Sequence, residues 1–176
     1  PKISDIIMMG SDRIHIFDTP FLLEKGYSLS FDQCFWKRAL DLVLAVPVFI
    51  LTSPVMLLTT LMIKLDDGGS VLYKQIRCTQ DGREFEMIKF RSMVENAESD
   101  GIAKLAQKDD CRITRIGKFI RATRIDELPQ LYNIIVGDMS FVGPRPERPE
   151  IIRQYMEDMP EFKFRMRVKA GLTGFA

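Results

Sequence analysis

The apolar positions change their period several times along this 176-residue chain, and each change marks an element. Residues 1–30 alternate short apolar runs, Ile6-Ile7-Met8-Met9 and Ile14-His15-Ile16-Phe17, with turn formers at Gly10-Ser11-Asp12 and Asp18-Thr19-Pro20. This predicts a short helix, a strand and an extended connector, too little to bury a core alone, and reads as the tail of a preceding domain. From Phe31 a helical period begins. Phe35, Trp36, Ala39, Leu40, Val43 and Leu44 share a face, with Lys37, Arg38 and Asp41 elsewhere. Leu42 to Ile63, about 22 residues, then carries no charge, which is the length of a bilayer crossing.

Pro47 and the Ser53-Pro54 pair complicate that crossing. A straight helix of this length rises roughly 33 Å and spans the membrane. Bent at Pro54, each limb reaches only about 17 Å, around half the hydrocarbon core, and the chain returns to the side it entered. The Thr52 and Ser53 hydroxyls are placed to satisfy carbonyls that a proline frees. Lys37 and Arg38 precede the segment and Lys64, Lys74 and Arg77 follow it, so the positive-inside tendency slightly favours two cytoplasmic ends. On these grounds both topologies stay open.

After Asp66-Asp67-Gly68-Gly69-Ser70 the period falls to two. Val71 to Gln75 and Phe85 to Phe90 read as strands, and Gln80-Asp81-Gly82-Arg83 as the turn of a hairpin. Residues 92–111 are polar and predict a helix with a loop. Arg112, Arg115, Lys118, Arg121 and Arg124 then recur every three residues, a row of cations on one side of a helix with Ile113, Ile116, Phe119 and Ile120 on the other. Leu131, Ile134 and Ile135 keep helical spacing from Pro129 to a C-cap at Gly137. Gly137 to Pro149 forms a proline-rich, rigid loop, and a helix follows from about Arg148 to Met156. In Phe162 to Lys169 apolar and basic residues alternate strictly, which fits a strand or a basic amphipathic helix on a membrane.

Composition narrows the chemistry. A net charge of +1 gives no sign of a general nucleic-acid binder. Three cysteines without a CxxC pair and a single histidine make no zinc site of familiar spacing. Catalysis through a Ser-His or Cys-His pair would have to run through His15, which lies far from every other candidate. The first residue is Pro1 and the last is Ala176 within a Gly-rich stretch, so the chain reads as part of something longer.

The remaining chemistry gathers at Arg121-Ala122-Thr123-Arg124-Ile125-Asp126-Glu127-Leu128-Pro129. Two adjacent carboxylates stand where a helix is expected to begin. Free N–H groups and the helix dipole there would lower the pKa of Asp126 and attract phosphate, and Arg121 and Arg124 add positive charge. A carboxylate beside a phosphate-attracting site suggests phosphoryl chemistry, with the carboxylate as nucleophile or metal ligand. The plain alternative is an N-cap Asp followed by a first-turn Glu. Arg145, held between Pro144 and Pro146, would present a fixed guanidinium to a phosphate. Lys89 and Arg91 close the second strand, and their role depends on whether they face Asp126.

The strings Lys89-Phe90-Arg91-Ser92-Met93, Arg121 through Gln130, Gly137 through Pro146, and Gly171-Leu172-Thr173-Gly174 resemble the bacterial sugar transferases, the monotopic polyprenol-phosphate phosphoglycosyl transferases. The resemblance covers about Phe31 to Ala176. Residues 1–30 are similar to the end of the nucleotide-fold accessory domain of larger members. Ala170 stands where the family usually has proline, and its chains continue beyond Ala176.

The resemblance implies a membrane-associated α+β protein, mainly helical, with a small β-hairpin and a re-entrant helix broken at Ser53-Pro54. Its parts would be an accessory tail (1–30), the membrane helix (31–65) and a cytoplasmic catalytic domain (66–176) at the inner face of a bacterial cell membrane. It further implies transfer of a sugar-1-phosphate from a UDP-sugar to undecaprenyl phosphate with release of UMP, using Mg²⁺ and a covalent aspartyl-phosphosugar. Asp126 would be nucleophile and metal ligand, and Glu127 its partner. Arg121 and Arg145 would bind phosphates, with Lys89 and Arg91 assisting. A membrane-anchored phosphohydrolase and a non-catalytic anionic-lipid-binding module are the competing readings. Apolar surface near Phe35-Trp36 would suit a homodimer contact. Nothing in the sequence identifies the sugar.

Overall fold

A computed structural model of the protein describes residues 11–16, 19–24, 30–94 and 110–174. The helix expected at Ile6–Met9 and most of the polar stretch 92–111 lie outside them. The chain divides into two compact units, residues 1–35 and 36–176, each described by itself. In the first, β1 (Ser11–Ile16) pairs antiparallel with β2 (Thr19–Glu24), Ile16 opposite Thr19. The strand at Ile14 is as expected, but the segment read as an extended connector is the second strand. Pro20 is admissible there because an edge position asks no N–H of it.

Helix α1 (Phe31–Asp67) opens with a reciprocal cap that the sequence spells out as Ser30-x-x-Gln33. The Gln33 N–H donates to Ser30 Oγ at 3.3 Å and the Ser30 N–H to Gln33 Oε1 at 3.0 Å. The helix then runs 37 residues, through both Pro47 and Pro54. Pro54 offers no N–H to the Ile50 carbonyl, and Ser53 Oγ donates to that oxygen at 2.7 Å. Thr52, Thr59 and Thr60 likewise donate back one turn, to Val48, Val55 and Met56.

One stripe of α1 is buried in the second unit. Ala45 and Phe49 join one core cluster, Met56 and Ile63 another. Polar contacts fix its first turns. Arg38 donates to the Ile134 and Ile135 carbonyls at 2.6 and 2.7 Å, and Asp41 accepts from Ser140 Oγ and the Phe141 N–H, both at 3.0 Å. Lys37 reaches Ser140 Oγ and the Val142 carbonyl. Leu40, Val43, Leu44, Leu51, Leu57, Leu58 and Leu61 remain exposed, a continuous apolar surface of the kind that marks contact with lipid or another protein.

β3 (Leu72–Cys78) and β4 (Glu84–Phe90) form the expected hairpin, closed by Asp81 and Gly82 in left-handed conformation (φ 57° and 75°). Its register, with Tyr73 opposite Lys89, Gln75 opposite Met87 and Arg77 opposite Phe85, puts these six side chains on one face. Phe85 and Met87 enter the core, leaving the polar members of that face beside it.

Thr114 caps α2 (Arg115–Ala122), accepting from the Gly117 N–H at 2.9 Å. The expected cation row is therefore cut at both ends. Arg112 lies before the cap and is bound to Asp110 at 2.6 Å, while Arg124 lies past the helix in left-handed conformation. Ile116 and Ile120 turn to the core as expected; Phe119 is exposed.

A 3-10 turn (Ile125–Glu127) leads into α3 (Gln130–Val136), ended at Gly137 with φ 103°. β5 (Ser140–Val142) pairs in parallel with β6 (Gly171–Thr173), beyond α4 (Pro149–Asp158). Gly143 and Gly171 lie so close that a side chain on either would strike the other's backbone. The alternating segment is neither a strand nor an α-helix but a 3-10 helix (Pro160–Arg167), in which Lys163 and Arg167 lie over the Phe164 ring and Arg165 over Phe162.

The core cluster is built from Leu131 and Ile134 of α3, Phe85 and Met87 of β4, Met139 and Ala45. Asn133, only 2% exposed, joins these elements by hydrogen bonds. Its Oδ1 accepts from the Ile88 N–H at 3.1 Å and its Nδ2 donates to the Glu86 carbonyl at 2.8 Å, so one side chain takes the place of a neighbouring strand along β4. Replacing it leaves two buried main-chain groups unsatisfied, at a cost of about 1–3 kcal/mol. Asn133→Ala is expected to lower the unfolding free energy by that amount, with a lower denaturant midpoint, and to speed hydrogen exchange at the Ile88 amide. An unchanged midpoint would show that the bond contributes nothing.

Candidate active site

The Asp126-Glu127 pair sits in the 3-10 turn between α2 and α3. Ile125 packs on the Ile63–Phe90–Ile120 cluster and Leu128 on the Leu131–Ile134 cluster. With both neighbours drawn into the core, the two carboxylates are held between them at its edge. Arg124, at φ 59° and ψ 15°, makes the sharp entry to this turn, a conformation that costs a non-glycine residue on the order of 1 kcal/mol. Its Nη1 lies 3.4 Å from Glu127 Oε1.

Asp126 does not cap α3, because Pro129 occupies the cap position and no side-chain cap bond is made there. Its Oδ1 is buried and has no hydrogen-bond partner among the described residues. The sequence suggested a lowered pKa from the helix start; the structure overturns this. Burial raises it first, and the Glu127 charge adds to the rise. Lys89, Arg121 and the residue's own N–H oppose it without cancelling it.

Lys89 Nζ lies 3.8 Å from Glu127 Oε1, with both side chains 21% exposed. Burial lowers its pKa; Glu127 and Asp126 resist this, while nearby Arg145 and Arg77 push it further down. Lys89 and Arg121 lie close enough to Asp126 to act on its charge, and Arg145 lies close enough to Lys89 to act on that of the lysine. Arg91 is buried one residue beyond β4, its guanidinium packed where a side chain at Gly69 would have to go. Ser53 and Pro54 belong to α1, and the hydrogen bond of Ser53 is made within that helix.

Two functional candidates escaped the sequence. Arg77 shares the hairpin face of Lys89, a signal available from the register of the two strands, and Arg148 lies near enough to Arg77 to depress its pKa. The Arg145 loop is tied to the body at three carbonyls. Pro144 accepts from the Gly171 N–H, Pro146 from Arg77 and Glu147 from the Cys78 N–H. Beside it a cavity of about 20 Å³, lined by Cys78, Thr79, Arg145 and Phe162 among others, has room for about one water.

This arrangement suits an anionic ligand that carries more than one charge. Cations stand beside the two carboxylates, and one oxygen of Asp126 is buried without a hydrogen-bond partner among the described residues. The same two carboxylates fit the way Mg²⁺ is usually held, by one or two protein oxygens with the remainder from water and substrate phosphates.

Residues 32–176 match the family model of the bacterial sugar transferases. The chain is 45% identical over 142 residues to the UDP-N-acetylgalactosamine-undecaprenyl-phosphate N-acetylgalactosaminephosphotransferase of Aeromonas hydrophila, covering 81% of this chain and 33% of that protein. It is 38% identical over 169 residues to the UDP-glucose:undecaprenyl-phosphate glucose-1-phosphate transferase of Escherichia coli strain K12, covering 96% and 34%. A protein of the same name from Caulobacter vibrioides is 42% identical over 140 residues, covering 80% and 52%. The chain spans about a third of the length of the first two of these relatives. By the extent of these matches, the chain belongs to the bacterial sugar transferase family.

Proposed function

We propose that this chain carries the catalytic site of an enzyme that moves a sugar-1-phosphate from a UDP-sugar to undecaprenyl phosphate. The observation that carries the reading is the buried, unpartnered Oδ1 of Asp126 beside Lys89 and Arg121. A structural carboxylate in that position would be expected to have a hydrogen-bond donor; a nucleophile must keep its lone pair available. Asp126 attacks the sugar-bearing phosphorus of the UDP-sugar, forming an acyl-phosphate bond as the bond to the UMP oxygen breaks. A phosphate oxygen of the lipid then attacks the same phosphorus, and the Asp126 carboxylate leaves. Two displacements replace one exchange between two bulky anionic substrates.

Lys89, Arg121 and Arg145 offset the charge on the transferring oxygens and on the departing UMP. Glu127, held by Lys89 and Arg124, orients Lys89, whose charge meets the anionic acceptor. Asp126 would hold Mg²⁺, which would supply positive charge to offset that of a diphosphate. Arg91 supports the end of β4 and so the placing of Lys89. The sugars named for the relatives differ, glucose in some and N-acetylgalactosamine in another, so the UDP-sugar preference of this chain is left to experiment.

The site belongs at the cytoplasmic face of a bacterial cell membrane, where a lipid phosphate and a soluble nucleotide sugar can meet. Parts of α1 on either side of Ser53-Pro54 pack on the same body, Ala45 and Phe49 before it and Met56 and Ile63 after it. A straight crossing would carry one end of that body through the bilayer. This supports a re-entrant helix that bends at Ser53-Pro54 and leaves its exposed leucines in one leaflet. Residues 1–30 are read as the tail of an accessory domain, in keeping with the near-complete coverage of this chain within the longer Escherichia coli relative.

Incubating the protein in bilayer nanodiscs with UDP-glucose, UDP-galactose or UDP-N-acetylgalactosamine alone should add the mass of one sugar-phosphate to the peptide bearing Asp126. Asp126→Asn should abolish both label and turnover, at least a thousandfold loss. Release of UMP at equal rate with and without the lipid would make the protein a phosphohydrolase, and lipid binding without turnover would make it an anchoring module.

The pH profile of labelling follows from the two displaced pKa values. Asp126 must be ionised, so the rate falls as pH drops through a pKa raised above the ordinary carboxylate range. Lys89 must be protonated, so the rate falls again as pH rises through a pKa lowered from the usual lysine value. Lys89→Arg should move only the alkaline limb, to higher pH; an alkaline limb that stays put would remove Lys89 from the mechanism.

Single cysteines at positions 30 and 70, probed with an impermeant reagent in intact spheroplasts, should both be shielded and should both react after lysis. Labelling of one but not the other before lysis would mean a spanning helix.

A further inference from the structure

We infer that Arg77 is a positioning residue that holds the 144–147 loop so that Arg145 stays beside Lys89; this rests on the proposed role of Arg145 as a phosphate-binding group. Arg145 is the single residue between Pro144 and Pro146, and the carbonyl of each proline is held. Pro144 accepts from the Gly171 main chain at 2.9 Å, and Pro146 accepts from Arg77 Nη1 at 3.2 Å. The first tie is backbone to backbone and follows from the β5–β6 pairing. The second depends on one side chain.

That side chain is itself fixed. Arg77 Nε and Nη2 both donate to Gln75 Oε1, at 3.0 and 2.6 Å, which sets the plane of the guanidinium. Gln75 Nε2 in turn meets Tyr73 Oη at 3.3 Å. All three residues lie on the hairpin face that carries Lys89, so the same strand pairing positions the loop and the lysine. Arg77 Nη1 also lies 3.6 Å from Glu147 Oε2, and the Cys78 N–H donates to the Glu147 carbonyl at 3.0 Å, which extends the grip one residue further.

The electrostatics argue that this grip serves more than stability. Arg77 is only 14% exposed on its side chain. Burial lowers its pKa first, Arg148 and Arg145 lower it further, and Glu147 resists. A buried cation placed next to two others is an unfavourable arrangement for a protein without ligand. A neutral glutamine or methionine could pack here at less cost. The arrangement is reasonable if the like charges are met by an anion during turnover and if the loop needs a planar, multi-donor clamp. Lysine can supply the charge but not the fork.

The test is a double-mutant cycle on donor-only labelling of Asp126, in nanodiscs, with hydrogen exchange of residues 143–149 measured on the same proteins. Arg77→Lys keeps the charge and should slow labelling about tenfold. In an Arg145→Gln background, slower but measurable in single turnover, the same change should cost less than twofold, because Arg77 acts through Arg145. Exchange in the 143–149 segment should rise in Arg77→Lys while the core amides of α3 stay protected.

Wild-type rates in Arg77→Lys would overturn the inference, since charge alone would suffice. Multiplicative losses in the double variant would also overturn it, because Arg77 would then act independently of Arg145. Should the wild type form no label at all, the proposed function fails and the exchange arm still decides the clamp: unchanged exchange in Arg77→Lys rejects it.

Discussion

A carboxylate oxygen taken out of water and given no hydrogen bond is the constraint from which the rest of this structure can be understood. Leaving such a group unpaired is unfavourable by a few kcal/mol in most settings, and the fold here tolerates it by rigidity. Ile125 and Leu128 anchor the Asp126 turn in two different core clusters, so the carboxylate cannot swing out to solvent without unseating both. Lys89 and Arg121 lower the cost of its charge but do not remove it, and Asp126 remains harder to ionise than an ordinary aspartate. A basic, poorly solvated oxygen is a better nucleophile than a hydrated one, which is how the proposed function would put an unfavourable placement to use.

The groups around it are held by polar ties between distant elements more than by their own local structure. The two-stranded hairpin that carries Lys89 and Arg77 would be marginal alone. It is fastened to α3 by Asn133, which satisfies β4 as a third strand would, and by Phe85 and Met87 in the core. The Arg145 loop is fastened to the hairpin by Arg77 and Cys78 and to β6 by Gly171. Each cation near the carboxylates is thus placed by a different element, and their mutual repulsion is resisted by the packing of those elements. The excess of positive charge that results suits a diphosphate and a lipid phosphate in turn.

Much of this was legible in the sequence where the signal is local. Asp81-Gly82 between two alternating runs predicted the hairpin, and Leu131, Ile134 and Gly137 predicted α3 and its end. The Asp126-Glu127 pair with arginines upstream pointed to the right stretch. The direction of the Asp126 pKa was misread because helix-start effects are visible in sequence whereas burial of the turn, drawn in by Ile125 and Leu128, is not. The cation row was misread because the Thr114 cap and the left-handed Arg124 cut a period that continues on paper. Asn133 and Arg77 have partners 45 and 69 residues away, beyond the reach of any periodicity. Residues 162–169 alternate with period two yet coil, because stacking of Lys163, Arg165 and Arg167 on two phenylalanine rings favours a tight helix that no apolar pattern announces.

The apolar helix bears on chemistry through the same α3 that follows the carboxylate turn. Arg38 donates to the last carbonyls of α3, where the helix dipole is negative and backbone acceptors have no intrahelical partner. Asp41, buried within an apolar run, makes no ion pair among the described residues but accepts from Ser140 and the Phe141 main chain just past that helix. These bonds fix the beginning of α1 to the C-terminal end of α3, while Ile63 fixes a later part of α1 beside Ile120 and Phe90, close to the other end. Under the proposed function, this exposed apolar surface, tied to the end of α3 and to the cluster that holds Ile125, would set the height of the Asp126 carboxylate above the membrane. A phosphate on a lipid anchor occupies a narrow layer at the membrane boundary, so a nucleophile held at a set height can meet it repeatedly, and one on a flexible tether could not.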